Sequence, residues 1–295
     1  MVKSDPYRSL GLKKEPLSSI EDFDWLVRTV ALGEHMGKKS SRRLGVGLEF
    51  SQYRPYSQGD DLRQLDWKIY ARTDKFYIKQ SEIDTNISVT FIPDQSASMK
   101  YEENGWSKQA HAKLLMALLA YLSSEAGDKY GIAGINEKDL GLVPHIGKKH
   151  WQRFLNHLIT LEESTSFTKP MIPKVQEKEL FVVFSDLYEK DEEWLNFIKN
   201  LKTRRNEVIV FHLMGDDELN FNFSKTTLFK DLEDGSELKI DPASLKENYQ
   251  LRLQEWVTEL NENFRNEGVD YMLVNMNEPV EQLIHKFMWH RRKLS

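Results

Sequence analysis

The sequence predicts an α/β fold, with a mainly parallel sheet covered by helices on both faces and preceded by a helical and polar N-terminal segment. From Ile87 onward, apolar segments of strand length alternate with helical ones, as in strands joined by crossover helices. The segment 179–185 contains five consecutive apolar residues, Leu180 to Phe184, and the segment 208–214 has a similar composition. Such continuous apolar content is typical of central strands buried on both faces.

The individual elements are predicted from the spacing of apolar residues and from turn signals. Short apolar runs predict strands, and apolar residues at helical spacing predict helices. In chain order we expect a strand at 87–93, a helix at 108–126, a strand pair at 130–135 and 140–145, a helix at 151–161, a strand at 179–185, a helix at 192–203, a strand at 208–214, a helix at 245–264, a strand at 269–274 and a helix at 280–289. Asp234 and Gly235 form a two-residue hairpin signal, which predicts an inserted hairpin near 227–240.

The N-terminal part has a different pattern. Ser18 and Glu21 have the spacing of a capping box, and the apolar residues at helical spacing around and after them predict a short amphipathic helix. The alternation of strands and helices starts only at Ile87. We therefore expect an N-terminal segment at 1–85 that packs on a larger α/β domain at 86–295.

The composition excludes several kinds of function. The 295 residues include no cysteine, so disulfides, thiolate metal sites and cysteine nucleophiles are excluded, and a bound metal must use oxygen or imidazole ligands. The formal net charge of -5 argues against a protein that binds nucleic acid through its overall charge. Neither a phosphate-binding Gly-x-x-x-x-Gly-Lys loop nor a Gly-x-Ser-x-Gly motif occurs, so nucleotide hydrolysis and serine esterase chemistry lack support.

Apolar stretches in the chain are short. The N-terminal residues have no apolar run resembling that of a signal peptide, and the longest apolar stretch, 114–122, is much shorter than the roughly 20 residues that a membrane-spanning helix needs. These features predict a protein without a membrane span that stays in the cytoplasm.

Two predicted strands are followed by acidic residues. Asp94 comes directly after the strand at 87–93, and Ser96 and Ser98 are expected on the same side of the loop that follows it. Asp186 comes after the strand at 179–185. Ligands in open α/β sheets bind beyond the carboxyl ends of the strands, and a set of carboxylate and hydroxyl oxygens favours hard cations. The sequence therefore predicts a site for Mg²⁺ or Mn²⁺, to which Thr165, or alternatively Thr168, adds a hydroxyl ligand from a third loop.

The Asp-x-Ser-x-Ser motif at Asp94 to Ser98, together with a threonine in a later loop and Asp186, resembles the metal-ion-dependent adhesion site of von Willebrand factor A domains. The resemblance covers the chain from about Ile87 to the C-terminus. It implies a doubly wound fold and an ion with an open coordination position that an acidic side chain of a partner protein can fill. The chemistry that it implies is recognition rather than turnover.

A second resemblance lies upstream of the first. Arginine, carboxylate and aromatic residues occur at close spacing in Gly45 to Phe50, Arg54-Pro55-Tyr56, Gly59 to Arg63, Asp66-Trp67 and Ala71-Arg72-Thr73. This pattern resembles the domain of unknown function 58 family, in which the segment runs into a von Willebrand factor A-like domain. The resemblance implies a MoxR-type AAA+ ATPase as partner and a role as an adaptor in chaperone-like assembly or maturation.

The charged residues of this upstream segment have two interpretations. Equal numbers of arginines and carboxylates beside aromatic residues favour ion pairs that lock the segment onto the core domain. The residues of this predicted network are Arg54, Asp60, Asp61, Arg63, Asp66 and Arg72. Alternatively, the three aspartates form a second metal site or a general acid/base set.

The sequence thus leads to three hypotheses about function. The first is a non-enzymatic, metal-dependent protein-interaction module. The second is a metal-dependent hydrolase that uses Asp94, Asp186 and the upstream Asp60 and Asp61 around one or two ions. The third is a scaffold whose site binds no ion. Two serines in the first loop favour the interaction module over the hydrolase, and we expect no enzymatic activity.

Overall fold

The structure is a computed structural model. It describes residues 20–21, 23–24, 27–28, 49–57, 65–82, 87–134, 139–161, 169–173, 178–188, 193–222, 227–230, 237–240, 242–278 and 281–294.

The described elements begin with a strand and a short helix in the N-terminal part. The strands are β1 (Glu49–Pro55), β2 (Tyr77–Glu82), β3 (Ser88–Pro93), β4 (Glu102–Glu103), β5 (Trp106–Ser107), β6 (Lys129–Ala133), β7 (Gly141–His145), β8 (Glu179–Ser185), β9 (Asn206–Met214), β10 (Thr227–Lys230), β11 (Glu237–Ile240) and β12 (Asp270–Asn275). The helices are α1 (Trp67–Thr73), α2 (Lys108–Glu125), α3 (Lys148–Thr160), α4 (Glu193–Leu201), α5 (Asp216–Asn220), α6 (Pro242–Asn266) and α7 (Glu281–Leu294), with a 3-10 helix at Ala97–Lys100.

A six-stranded sheet organises the α/β part of the chain. Its strand order is β12-β9-β8-β3-β6-β7, and every neighbouring pair is parallel except β6 and β7. The chain enters at β3, moves outward to β6 and β7, and then returns to the other side of β3 with β8, β9 and β12. The direction of winding therefore reverses between β3 and β8, where α/β sheets open a crevice for ligands.

Helices cover both faces of this sheet. Alternate side chains of β8 belong to two separate buried clusters, with Leu180, Val182 and Phe184 on one face and Phe181 and Val183 on the other. The first cluster includes residues of α2, α3 and α7, and the second includes residues of α4 and α6. Burial of each such side chain stabilises the fold by about 1.5–3 kcal/mol, so both faces contribute to the core.

The N-terminal helical residues contact this core. Phe23 and Val27 are completely buried and belong to the same cluster as α2 and α3. The indole N–H of Trp151 in α3 donates a hydrogen bond of 2.7 Å to Oδ1 of Asp24. A helix at this place was expected from the spacing of its apolar residues.

The prediction of a mostly parallel sheet with helices is confirmed. The strand predicted at 179–185 is β8, and the inserted hairpin is present as the antiparallel pair of β10 and β11. Several boundaries differ from the expectation. Helix α6 begins at Pro242 rather than at Leu245, because proline is well suited to the first turn of a helix, where its missing N–H would have no partner. The antiparallel pair β1–β2 and helix α1 in the N-terminal segment were not predicted.

No helix within the described ranges combines the length and apolar character needed to cross a bilayer.

Candidate functional site

Asp94 and Asp186 lie beside each other at the carboxyl ends of neighbouring parallel strands. Pro93 pairs with Phe184 in the register of β3 and β8, and the N–H of Asp94 donates a hydrogen bond of 2.8 Å to the carbonyl of Phe184. Because β3 and β8 are the strands between which the winding direction reverses, the two aspartates lie at the mouth of the crevice. The sequence predicted that the ends of these strands supply carboxylates, and the sheet order brings them together.

The carboxylate of Asp94 is buried and oriented by hydrogen bonds. Its Oδ1 accepts from the N–H of Ser96 at 2.8 Å, and its Oδ2 accepts from the hydroxyl of Ser185 at 2.5 Å. Burial, followed by the negative charge of Asp186, raises the pKa of Asp94 to about 6. Among the described residues, no lysine, arginine or histidine forms an ion pair with Asp94. This carboxylate therefore lies in a place where a cation would be stabilised.

The two serines of the motif connect Asp94 to Asp186. The hydroxyl oxygens of Ser96 and Ser98 are 3.0 Å apart, and the hydroxyl of Ser98 donates a hydrogen bond of 3.0 Å to Oδ1 of Asp186. Ser96 precedes the 3-10 helix that begins at Ala97, and this short helix turns the chain so that both hydroxyls point to the same place. Asp94, Ser96 and Ser98 from the loop after β3 and Asp186 from the loop after β8 thus form one connected polar group.

Lys108 is part of the site, although the sequence analysis did not select it. It is the first residue of α2, it is completely buried, and its Nζ lies 2.8 Å from Oδ2 of Asp186 and 2.8 Å from Oε1 of Glu218. Burial alone would lower the pKa of Lys108, but the two carboxylates outweigh that effect and raise it, so the side chain is a cation. The ring centroids of Tyr101 and Tyr188 lie 5.2 and 4.8 Å from Nζ of Lys108.

Glu218 connects this lysine to the turn after β9. Its Oε1 accepts from Lys108, and its Oε2 accepts a hydrogen bond of 2.7 Å from the N–H of Gly215, at the start of α5. Burial raises the pKa of Glu218, and the ammonium of Lys108 opposes that rise. A side chain at Gly215 would collide with its surroundings, since a Cβ there would lie 2.5 Å from Oε2 of Glu103. Glycine therefore allows the turn to approach the site closely.

The oxygen atoms of the motif fit a small divalent cation. Mg²⁺ prefers an octahedron of oxygens at about 2.0–2.1 Å, which places neighbouring ligands about 2.8–3.0 Å apart. The spacings between the hydroxyls of Ser96 and Ser98, and between Ser98 and Oδ1 of Asp186, are both 3.0 Å. A spacing of 3.0 Å is also that of a hydrogen bond. The same arrangement of oxygens therefore suits the protein with an ion and the protein without one. The donor set of hydroxyls and carboxylates, with no sulfur or imidazole, is the one that Mg²⁺ and Mn²⁺ select.

Of the remaining predicted site residues, some lie outside the described residues and others form contacts within the N-terminal part. Thr165 and Thr168 lie outside the described residues, as do Asp60, Asp61 and Arg63 of the expected ion-pair network, and so does the side chain of Arg54 in β1. Asp66 caps α1, since its Oδ1 accepts from the N–H groups of Lys68 and Ile69 at 2.9 and 3.1 Å. In the same helix, Nε of Arg72 donates to the carbonyl of Lys68 at 3.4 Å. Capping is a role for Asp66 that the sequence analysis did not predict.

Residues 52–257, more than half of the chain, match a family model described as Protein of unknown function DUF58. The chain belongs to this family. The resemblance seen in the upstream arginine, aspartate and aromatic residues is thereby confirmed at the level of the family. Two similar proteins come from Mycobacterium bovis and Mycobacterium tuberculosis (strain H37Rv), and both are described as uncharacterized. Each is 23% identical to this DUF58 protein over 252 residues, which are 81% of this chain and 76% of the relative.

Solved structures show weaker similarity to this DUF58 protein. One is the conserved hypothetical protein BatB from Bacteroides thetaiotaomicron, with a TM-score of 0.46 and 15% identity, and the other is an aerotolerance-related membrane protein from Bacteroides fragilis, with a TM-score of 0.43 and 16% identity. Both comparisons cover 70% of this chain and 100% of the other. A membrane-spanning protein from Vibrio fischeri has a TM-score of 0.21 and 11% identity, over 70% of this chain and 97% of its own. Two of these descriptions name membrane proteins, which contradicts the expectation of a cytoplasmic protein, and we withdraw that expectation.

Proposed function

We propose that this protein is a non-enzymatic interaction module that binds Mg²⁺ or Mn²⁺ at Asp94, Ser96, Ser98 and Asp186 and uses the ion to hold an acidic side chain of a partner protein. When bound, the ion would supply an open coordination position for the partner's carboxylate. The protein's own groups would orient the ion's ligands and exclude bulk water from them. Thr165 or Thr168 is the proposed further hydroxyl ligand.

The observation that carries this proposal is the convergence of four oxygen-bearing side chains at one point of the sheet. Asp94, Ser96 and Ser98 come from the loop after β3, and Asp186 comes from the loop after β8. Contacts of 3.0 Å join Ser96 to Ser98 and Ser98 to Asp186. A single loop could bring Asp94 and the serines together as a helix cap, but a cap does not require a second carboxylate from the neighbouring strand.

The topology supports a von Willebrand factor A-like, doubly wound fold for residues 86–295. The winding direction reverses between β3 and β8, helices lie on both faces, and the motif follows the first strand of the sheet. In this arrangement loops at the carboxyl edge can contact another protein, while the sheet keeps their side chains in place.

The charges of the site favour binding over hydrolysis. In a hydrolase with two ions, the ions lie about 3.5–4 Å apart and need carboxylates that bridge or flank both. Here Glu218, the third carboxylate near Asp186, is paired with the ammonium of Lys108. With Asp94, Asp186, Glu218 and Lys108 all ionised, three negative charges and one positive charge leave two negative charges in excess, which one divalent ion neutralises.

The proposed partner is a MoxR-type AAA+ ATPase, and the proposed role is that of an adaptor in chaperone-like assembly or maturation. This part of the proposal comes from the family resemblance of the upstream segment, which includes Arg54, Asp60, Asp61, Arg63 and the cap residue Asp66. An acidic side chain on the surface of the ATPase or of its client would be the group that reaches the ion.

An affinity pull-down from native lysate tests the proposal. Wild type, Asp94→Ala and the control Glu125→Ala, which removes an exposed carboxylate at the end of α2, are each used as bait in Mg²⁺ and in EDTA. The expected result is a partner recovered by wild type and Glu125→Ala in Mg²⁺ only. Recovery of the same partner by Asp94→Ala, or by wild type in EDTA, would contradict metal-dependent binding.

A further inference from the structure

Lys108 places a permanent positive charge next to the proposed ion site. Its ammonium has three N–H donors, and carboxylate oxygens of Asp186 and Glu218 accept from it at 2.8 Å each. The side chain is completely buried, so water cannot replace either carboxylate. A buried charge of this kind is stable only while its partners remain in place.

Asp186 is shared between the lysine and the serine loop. Its Oδ2 accepts from Lys108, and its Oδ1 accepts from the hydroxyl of Ser98. A divalent ion held by Ser96 and Ser98 would therefore be attracted to one oxygen of a carboxylate whose other oxygen already neutralises an ammonium. The two positive charges would lie on opposite sides of one carboxylate group and repel each other, and they would do so strongly because the surroundings are buried.

Glu218 determines how much of the lysine's charge Asp186 must balance. The ammonium divides its two strong contacts between these carboxylates, and Glu218 is itself held by the N–H of Gly215 in the turn after β9. A displacement of that turn that separates Glu218 from the ammonium would leave Lys108 paired with Asp186 alone. The position of the turn and the affinity for the ion are then thermodynamically coupled, and the coupling is reciprocal.

We infer that Lys108 is a built-in cation that competes with the divalent ion for Asp186, and that Glu218 reduces this competition by sharing the ammonium. The inference rests on the proposed function, because it concerns the regulation of the same site. It predicts a site of moderate affinity in the natural chain, in which the turn from Gly215 to Glu218 raises or lowers ion binding.

Two substitutions separate this regulatory role from a purely structural one. Lys108→Met keeps the length and apolar stem of the side chain but removes the competing charge, so Mg²⁺ should bind about tenfold tighter or more. Glu218→Gln removes one of the two negative charges that balance the ammonium and leaves Asp186 as its only charged partner, so Mg²⁺ should bind several-fold weaker. Both variants remove the charge pair between Lys108 and Glu218, and glutamine keeps an acceptor oxygen at position 218. If that contact only stabilised the fold, both would lower the melting temperature without changing ion affinity in opposite directions.

Isothermal titration of Mg²⁺ into the full chain is the test, with Lys113→Met as the matched control. Lys113 lies on the same helix and contacts the carbonyl of Leu161. Lys113→Met removes one positive charge, as Lys108→Met does, but at a place outside the site. Tighter binding by Lys108→Met, weaker binding by Glu218→Gln and unchanged binding by Lys113→Met would support the inference. If Lys108→Met fails to fold, the direction of the change in Glu218→Gln decides.

The remaining outcomes separate this inference from the proposed function. Equal affinities of wild type and the two site variants would overturn the role of Lys108 and leave the metal-dependent module standing. Binding by Lys108→Met but not by wild type would support the inference while contradicting the proposed function of the natural chain. Absence of binding by every folded variant would overturn both.

Discussion

The hydroxyl of Ser185 donates a hydrogen bond of 2.5 Å to Oδ2 of Asp94, and the same hydroxyl oxygen accepts the N–H of Leu187 at 2.9 Å. Ser185 is the last residue of β8, and Asp94 follows β3, so this contact joins the two strands at the point where the winding reverses. Because the oxygen is fixed by Leu187, its hydrogen is directed at the carboxylate. Asp94 is therefore held in position by the neighbouring strand as well as by its own loop.

Replacing Ser185 by alanine should destabilise the protein. Ser185→Ala removes a donor to a buried carboxylate and leaves the N–H of Leu187 without this acceptor, so we expect a loss of about 1.5–3 kcal/mol in the free energy of unfolding. Urea denaturation in EDTA measures it. The control is Ser123→Ala, which removes a buried hydroxyl that donates only to the carbonyl of Leu119 in its own helix. Equal losses of unfolding free energy in the two variants would show that the contact with Asp94 stabilises the protein no more than an ordinary hydrogen bond within a helix.

Replacing Asp94 by asparagine should stabilise the metal-free protein. Burial and the charge of Asp186 raise the pKa of Asp94 to about 6, which means that the ionised carboxylate is unfavourable in the fold at neutral pH. Asp94→Asn keeps the shape of the side chain and removes that charge, so the melting temperature in EDTA should rise by about 2–4 °C for each kcal/mol gained. Differential scanning calorimetry measures it. A lower melting temperature would mean that the carboxylate is already compensated inside the fold.

Acid should destabilise the protein partly through His111. This residue of α2 is completely buried, and burial lowers its pKa to about 4. Below its ordinary pKa of about 6.5, the unfolded chain takes up a proton that the folded chain refuses, so this contribution to stability is complete above about pH 6.5 and is lost as the pH falls toward 4. The glutamine variant His111→Gln cannot titrate, and its stability should decline less over this range, by about 1–3 kcal/mol.

The measurement is urea denaturation of wild type and His111→Gln at several pH values between about 7.5 and 5. The other titrating groups are common to both proteins, so the difference between the two curves isolates His111. Parallel curves would show that His111 is protonated in the folded protein or exposed in solution.

Gly131 in β6 should tolerate no side chain. A Cβ at this position would lie 2.3 Å from the carbonyl oxygen of Leu142 and 2.6 Å from the nitrogen of Pro144, both backbone atoms of the neighbouring edge strand β7. Gly131→Ala must therefore push β7 away from β6, and we expect a loss of about 1–3 kcal/mol or more. Chemical denaturation tests this expectation. A loss below about 0.5 kcal/mol, typical of surface substitutions, would show that β7 moves without cost.

The sheet and its helices were predictable because the strands are buried on both faces. A strand such as β8 then has a continuous apolar sequence that no exposed segment would have, and apolar helices must cover it. The pair β1–β2 was not predictable in the same way. Its sequence mixes charged and apolar residues without continuous apolar content, and its antiparallel pairing depends on residues that are 22 to 33 positions apart, from Pro55 and Tyr77 to Glu49 and Glu82.

The motif of the site was predictable, but its electrostatics were not. Asp94, Ser96 and Ser98 are close in sequence, and Asp186 is marked by the strand before it. Lys108 gives no such signal, since a lysine in the first turn of a helix is normally exposed. Its partners Asp186 and Glu218 are 78 and 110 residues away, so only the tertiary fold reveals that it is buried between them.

Binding of Mn²⁺ to the full chain, measured from the electron paramagnetic resonance signal of the free ion, tests directly whether Asp94 belongs to a metal site. Wild type and Asp94→Asn are titrated side by side, and Glu125→Ala again serves as the control. We expect one site per chain in wild type and in Glu125→Ala, and an affinity at least about tenfold lower in Asp94→Asn, because the ion loses the negative charge of Asp94. Equal binding by wild type and Asp94→Asn, or no binding by wild type, would contradict the claim that this site holds a metal ion.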